Sequence, residues 1–248
     1  MNSWKSEDGK LDRLVAVSQD RWKQAQAAEA EYWADTAGSV YQSLHELTEH
    51  YQQAAGRVAE MLAGRSGLEA IEIGIGPMGI GFLQVYAAAN CSRIVGVEPL
   101  EIGPLAMEDP ALVEYLRALR ARAEVLRIRA ENLPMAPASF DLACCINVLD
   151  HTGQPWAVTA ELARVVRQGG LLVLAVHTRS SLGRCKWQID RRLHRQNLFY
   201  RAHPHAFLWR QVDARLRKDW DVQWCDRPGL RDRLLGHQVM STWILKRR

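Results

Sequence analysis

No apolar run in this chain reaches the roughly 20 residues a membrane-spanning helix needs; the most apolar segment, Leu171–Val176, is far too short. The opening text, MNSWKSEDGKLDR, is polar and mixed in charge, so a secretory leader is not expected. Cysteine is scarce, five residues at irregular positions with no C-x-x-C pair, which removes the usual spacing of a zinc ribbon or a dithiol redox centre. Cys144 and Cys145 are adjacent in a predicted strand, where alternation sends their side chains to opposite faces. Both are expected to pack as small hydrophobes in a reducing cytoplasm. Internal repeats and low-complexity tracts are absent. A net charge of +4 is too small to mark the whole chain as a polyanion binder.

What the chain does have is one dense stretch, EAIEIGIGPMGIGFLQVYAAANCSRIVGVEP, over Glu69–Pro99. An apolar β-type run carrying an acid, Glu72, leads into a glycine-rich turn with Gly74, Gly76 and Gly79 spaced as G-x-G-x-x-G. A helical pattern follows, then a second β-type run, Arg93–Val97, that ends on Glu98. Such a unit aims backbone N–H groups and a helix N-terminus at a ligand, and sets the second-strand carboxylate beside ribose hydroxyls. An adenosine-containing cofactor is implied, either a dinucleotide or S-adenosylmethionine. Glu72 decides between them on this reading: an acid at the lip of the first strand opposes a pyrophosphate and suits a sulfonium with its ammonium group.

A length of 248 residues suits one α/β domain with additions. Residues from about Leu11 to Leu62 read as helical, with Trp22, Glu29 and Trp33 on one face beside Ala25 and Gln26. Farther on, the pattern predicts a helix over Ala111–Ala123 and strands over Glu124–Ile128 and Leu142–Asn147. A helix from Pro155 to about Arg167 ends at Gly169 and Gly170. Strands over Leu171–His177, Asp221–Cys225 and Val239–Leu245 complete the set. Alternating β and α elements predict a doubly wound, mainly parallel sheet with helices on both faces. The expected division is a helical extension over residues 1–66 and an α/β domain over 67–248, with a basic insertion at about 178–218.

The segments EIGIGPMG, GVEP, RAENLPMAPASFDLACCINVLDH and ELARVVRQGGLLVLAVH occur in the order found in class I S-adenosylmethionine-dependent methyltransferases, and the chain resembles the small-molecule subgroup of that family over about residues 68–178. The resemblance implies a Rossmann-like sheet of seven strands with the last antiparallel, and S-adenosyl-L-methionine as cofactor. It implies cofactor contacts from Glu72, the three turn glycines, Glu98 and Pro99, with Glu98 on the ribose. Ala130, Glu131 and Asn132 fall where the family reads the adenine edge, the acceptor being either Glu131 or Asn132. Asn147 and Val148 fall where it faces the methionine part. Where many members carry a third glycine, this chain has Met78.

On the acceptor side, the resemblance places Asp150 and His151 just beyond the fourth strand, and His177 on the same rim. Either histidine could serve as a base for an oxygen acceptor, or be structural. Tyr32 and Trp33 of the helical extension could roof the pocket, or simply pack. The segment Thr178–Lys218 carries eleven Arg or Lys residues against Asp190 and Asp213, interleaved with aromatics, and holds His203 and His205 near the expected entrance. This excess suits an anionic acceptor such as a nucleotide-linked sugar or phosphorylated glycolipid. An anionic membrane surface or RNA would suit it too, and so would a plain solvated basic helix. No H-x-x-x-H or H-E-x-x-H pattern gathers His151, His177, His203 and His205, so no metal is expected.

The function expected is methyl transfer to a small or glycan-linked acceptor, at oxygen rather than nitrogen. Nucleic-acid base methylation is disfavoured because Asn147-Val148-Leu149-Asp150 stands where an Asn/Asp-Pro-Pro-aromatic segment would be. The alternatives are an RNA methyltransferase and a catalytically lapsed cofactor-binding protein, Met78 being the hint of the latter. Acceptor identity and oligomeric state are not written in the sequence.

Overall fold

Near-continuous runs of Ile, Val, Leu, Ala and Cys, bounded by turn residues, form strands buried on both faces, as a parallel sheet between helical layers requires. The computed structural model describes residues 16–36, 51–52, 54–105, 109–194 and 196–248. Its sheet contains β1 (Leu68–Ile73), β2 (Cys91–Val97), β3 (Glu124–Leu126), β4 (Phe140–Ile146), β5 (Val166–Arg179), β6 (Phe207–Leu208), β7 (Trp220–Cys225) and β8 (Val239–Arg247). The order is β3-β2-β1-β4-β5-β8-β7, with β6 added beside the end of β5. β8 is antiparallel to both β5 and β7, and the pairs among β1 to β5 are parallel. The expected mainly parallel sheet with an antiparallel last strand is present; two-residue β6 brings the total to eight.

The helices are α1 (Gln19–Thr36), α2 (residues 54–62), α3 (Phe82–Tyr86), α4 (Pro110–Arg120), α5 (Pro155–Val165), α6 (Ser181–Leu193), α7 (Leu198–Ala202), α8 (Trp209–Leu216) and α9 (Leu230–Leu235). Residues 11–15, 37–50 and 53 of the expected N-terminal helical stretch lie outside the described residues. Asp109 starts α4 by accepting from the backbone N–H groups of Ala111 at 2.9 Å and Leu112 at 3.4 Å, with Pro110 in its first turn. α5 stops earlier than the spacing predicts. Val166 already pairs with Phe140, and Gly169 and Gly170 sit in a bulged opening of β5 instead of ending a helix.

Alternation along the strands divides the core. Ile71, Ile73, Val95 and Cys145 pack under α5 and α8 on one face. Ala70, Ile94 and Cys144 pack under α2 and α3 on the other, where Val58, Leu62, Phe82 and Leu83 meet them. The two adjacent cysteines thus do point to opposite faces, and both are free thiols. β1 is flanked by β2 and β4, so the chain winds in opposite directions from it. That reversal opens a crevice at the carboxyl ends of the strands, beyond Ile73, Val97 and Ile146.

Candidate active site

Beyond β1 the chain turns on three glycines with left-handed backbones, Gly74, Gly76 and Gly79, at φ of +73°, +77° and +67°. Gly74 also lies against the segment following β4: a Cβ there would come within 2.1 Å of Val148 Cγ2. Glu98, past the end of β2, is tied to this turn. Its Oε2 accepts from Gly76 N–H at 2.9 Å and its Oε1 from Leu100 N–H at 3.0 Å. Those bonds fix the carboxylate while leaving each oxygen further acceptor capacity. Burial raises its pKa, against the pull of the two N–H groups.

Glu72 does something else. Strand parity sends it to the same face as Ala70, away from Ile71 and Ile73, and its carboxylate lies under α3. There it accepts from the backbone N–H groups of Phe82 at 2.8 Å and Leu83 at 2.9 Å, 1% exposed. A Cβ on Gly81 would come within 2.4 Å of this carboxyl group, so Gly81 is the space that Glu72 occupies. Burial pushes the group up to about 7, with the N–H groups of Leu83 and Phe82 opposing. The expectation that Glu72 contacts the cofactor is therefore corrected. It caps a helix and is absent from the pocket wall.

The crevice opens into a cavity of about 550 Å³, well within the range of small-molecule sites, roughly 300–1,000 Å³. Gly74, Gly76, Glu98 and Pro99 line it, as do Ala130, Glu131, Asn147 and Val148; Gly79 lies behind Met78 and Ile80, which do. Asn132 is exposed and off the wall. Glu131 is on the wall, but its carboxylate is engaged: Oε1 accepts from Arg129 at 2.8 Å and from Gly153 N–H at 3.0 Å. Burial alone would raise its pKa; Arg129 and the backbone donors outweigh that and lower it. Glu131 thus clamps the loop after β4 to the strand β3 exit. Asn147 holds a left-handed backbone at φ +56°, and its buried Oδ1 has no partner among the described residues. Non-glycine residues in that conformation concentrate at ligand sites.

The opposite wall is assembled from three distant segments. The turn Leu149–His151 supplies His151; α1 supplies Trp22, Glu29, Tyr32 and Trp33; α7 and its exit supply Leu198, Phe199, Ala202 and His203. His151 Nδ1 lies 3.0 Å from Glu29 Oε2 and 3.2 Å from the carbonyl of Ala202. Its other nitrogen faces Asp150, 3.9 Å away. Burial would strip the ring of charge, but Glu29 and Asp150 outweigh it and push His151 up to about 9. At neutral pH this ring has a proton already, which argues against the expected role of His151 as base.

Asp150 itself stays behind the wall, 2% exposed, held well below the usual carboxylate range by His151, His177 and His203 in spite of burial. His177 lines the cavity with Nδ1 3.7 Å from Asp150 Oδ2. His203 stacks on Phe199 and, through burial and the nearby His151, drops to about 4. His205 turns away: its Nε2 meets the carbonyl of Thr152 at 2.7 Å and its ring stacks on Phe207, so it is off the wall. The spacing argument against convergence also fails, since one donor atom each from Asp150, His151 and His203 lies within 4.8 Å of the others.

Glu29 is the site residue that the sequence reading overlooked. Its signal was its place on the helical face shared by Trp22 and Trp33, and Trp33 Nε1 does donate to Glu29 Oε1 at 3.2 Å. The basic segment behaves differently from expectation. None of its Arg or Lys side chains lies on the wall among the described residues. Arg201 pairs with Glu31 at 3.1 Å and Arg217 with Asp213 at 2.7 Å, while Arg191 covers the ring of Trp187. Among the described residues no helix is long and apolar enough to cross a membrane.

Residues 71–174 match a methyltransferase-domain family. An uncharacterized methyltransferase of Mycobacteroides abscessus is 33% identical over 140 residues, 54% of this chain and 46% of that protein, so the chain spans about half the length of the relatives it matches. Among solved structures, the N-methyltransferase NodS of Bradyrhizobium japonicum, bound to S-adenosyl-L-homocysteine, aligns with a TM-score of 0.51 at 13% identity over 79% of this chain and 86% of that one. The cyclase SpnF aligns with a TM-score of 0.55 at 18% identity, covering 79% and 82%. Likeness at that level is one of fold alone. Family match, strand order and glycine turn agree: residues 71–174 form a methyltransferase domain with the sheet of the class I S-adenosylmethionine-dependent enzymes.

Proposed function

We propose that this chain methylates a small acceptor, at oxygen, inside the cavity between the glycine turn and α1. One observation carries the reading: a single continuous cavity runs from Glu98 and Asn147 at the strand ends to the aromatic and imidazole wall of α1 and α7. Glu98 would hold the ribose hydroxyls, its orientation fixed by Gly76 and Leu100. The backbone at Ala130 would meet the adenine edge. The unpartnered Oδ1 of Asn147 would accept from the ammonium of the methionine part, which fits a buried acceptor that lacks a donor. When bound, the cofactor supplies an electrophilic methyl group.

The rest is positioning. Tyr32, Trp33 and Phe199 would press the acceptor into line and keep water out, and alignment of this kind provides much of the rate in a displacement reaction. Among the described residues no Arg or Lys side chain of residues 178–218 lines the cavity, which favours an acceptor of low charge over an anionic one. The polar side chains there include the imidazoles, Glu29, Gln26 and Tyr32, and the one arginine among the described lining residues, Arg129, is paired with Glu131, which together suit a hydroxyl-bearing molecule of low charge. The roof formed by α1 likewise favours a small acceptor over a nucleic-acid strand.

The test is calorimetry of S-adenosylhomocysteine and of NAD with the full chain, followed by S-adenosylhomocysteine release on a panel of hydroxyl and amine acceptors. The expected result is binding of the thioether alone and turnover confined to hydroxyl acceptors. Tyr32→Ala should raise the acceptor KM while leaving the thioether affinity unchanged. Tighter binding of NAD, or turnover on amines alone, would overturn the reading.

A further inference from the structure

The group around Asp150 has an unusual distribution of protons. His151 Nδ1 faces Glu29 Oε2 and the carbonyl of Ala202, and His203 Nδ1 lies 2.8 Å from the carbonyl of Phe199. Carboxylates and carbonyls only accept, so both rings must donate through Nδ1. Each then turns Nε2 toward Asp150, at 3.9 Å from its Oδ1 for His151 and 4.0 Å from its Oδ2 for His203. Asp150 Oδ1 and His151 Nε2 are buried and have no hydrogen-bond partner among the described residues, on side chains only 2% and 8% exposed. A carboxylate and two Nε2 atoms thus converge on one buried point, where a metal ion would take the place of the second proton that Glu29 and Asp150 favour on His151.

We infer that Asp150, His151 and His203 form a binding site for one divalent metal ion on the acceptor side of the cavity. The donor set, two imidazoles and one carboxylate, suits a borderline cation such as Zn²⁺, Mn²⁺ or Fe²⁺. The outer contacts match what such a site requires: ligating histidines normally pass their second N–H to a carboxylate or backbone carbonyl, which fixes the ring and its tautomer. Glu29 does this for His151, and the carbonyl of Phe199 for His203. The donor atoms lie within 4.8 Å of one another, and bond lengths of about 2.0–2.2 Å in a tetrahedral site need separations of about 3.3–3.6 Å, so the side chains must close by roughly 0.5–1.5 Å on binding. His177, with Nδ1 3.7 Å from Asp150 Oδ2, borders the same point from β5.

Because His151 and His203 also line the cavity, the ion would keep an open side toward it, where an acceptor with an oxygen donor could be held. That last role rests on the methyl-transfer reading. Metal binding itself does not.

The test uses the full chain, stripped with a chelator and titrated with ZnCl₂ or MnCl₂ by calorimetry. Co²⁺ is added separately for its visible d–d absorption. One equivalent bound, with a Co²⁺ spectrum of mixed nitrogen and oxygen ligation, is expected. His203→Ala should weaken binding at least tenfold and change that spectrum. Glu29→Gln, which leaves all three ligands in place, should weaken it about 10–100-fold. Each variant is first shown by circular dichroism to keep its fold, and Glu29→Gln stands in should His203→Ala not fold. No stoichiometric binding, or binding and a spectrum indifferent to both substitutions, would overturn the proposal. S-adenosylhomocysteine is titrated in parallel: metal bound without it overturns methyl transfer and leaves this site, and the reverse removes this site alone.

Discussion

The two ends of the cavity are built on opposite plans. The cofactor end comes from one contiguous stretch, β1 through Pro99, and consists mostly of backbone: three left-handed glycines and a carboxylate oriented by N–H groups. The acceptor end comes from α1, the turn after β4 and α7, of which α1 lies more than a hundred residues from the other two, and consists of side chains held by other side chains. A contiguous backbone device is constrained by local spacing. A side-chain device assembled from remote segments is free to vary with the acceptor.

If the contrast is real, the cofactor end should fail abruptly under small backbone changes. Gly74→Ala is expected to have the largest effect, since it combines a left-handed backbone with a 2.1 Å approach to Val148. Calorimetry should show at least a hundredfold loss of S-adenosylhomocysteine affinity. Glu98→Ala removes the charged acceptor of the ribose hydroxyls, a net loss of about one hydrogen bond to a charged group, roughly 1.5–3 kcal/mol, once water replaces it. It should cost one to two orders of magnitude in the same titration, and unchanged affinity would take Glu98 out of the site.

Glu72→Gln sharpens the comparison from inside the cofactor end. Affinity should move less than about threefold, while the dependence of stability on pH changes. Glu72 keeps its proton to about pH 7 when folded and loses it near 4.5 when unfolded. Its contribution is therefore present at low pH and falls as pH rises from 4.5 through 7, by roughly 3 kcal/mol. Denaturant titrations across that window should show the decline in the native protein, and a flatter curve in the variant. Cys144, which hydrogen-bonds Glu72, stays protonated throughout. The smallest effect is expected from exposed cations of the basic segment: Lys186→Ala and Arg192→Ala should change turnover less than about twofold.

Legibility followed the same division. The mainly parallel sheet and the turn glycines could be read because their signals are local and periodic, while the antiparallel last strand came with the family resemblance. Glu72 and Glu98 looked alike, two acids at successive strand ends. Only parity separates them, for Glu72 shares its face with Ala70 under α3, whereas Glu98 lies beyond the last paired residue of β2. The cofactor was thus identified correctly while one of its supporting arguments was not. His203 and His205, two apart, diverge, one into the cavity and one onto Thr152. Glu29 meets His151 across 122 positions, a contact that no local pattern encodes. Charge counting over 178–218 also misled, because composition does not say which way an arginine points.

Helix α7 has five residues, too few to persist by itself in water. Its last carbonyls, those of Tyr200 and Arg201, are capped from outside by Arg21 of α1, at 2.9 and 2.7 Å, and Arg201 reaches back to Glu31. Roof and side wall are consequently one cooperative leaf. A substitution at Arg21, which touches no ligand, would loosen Phe199 and His203 together, so that the identity of the acceptor is decided in part by an arginine that never meets it.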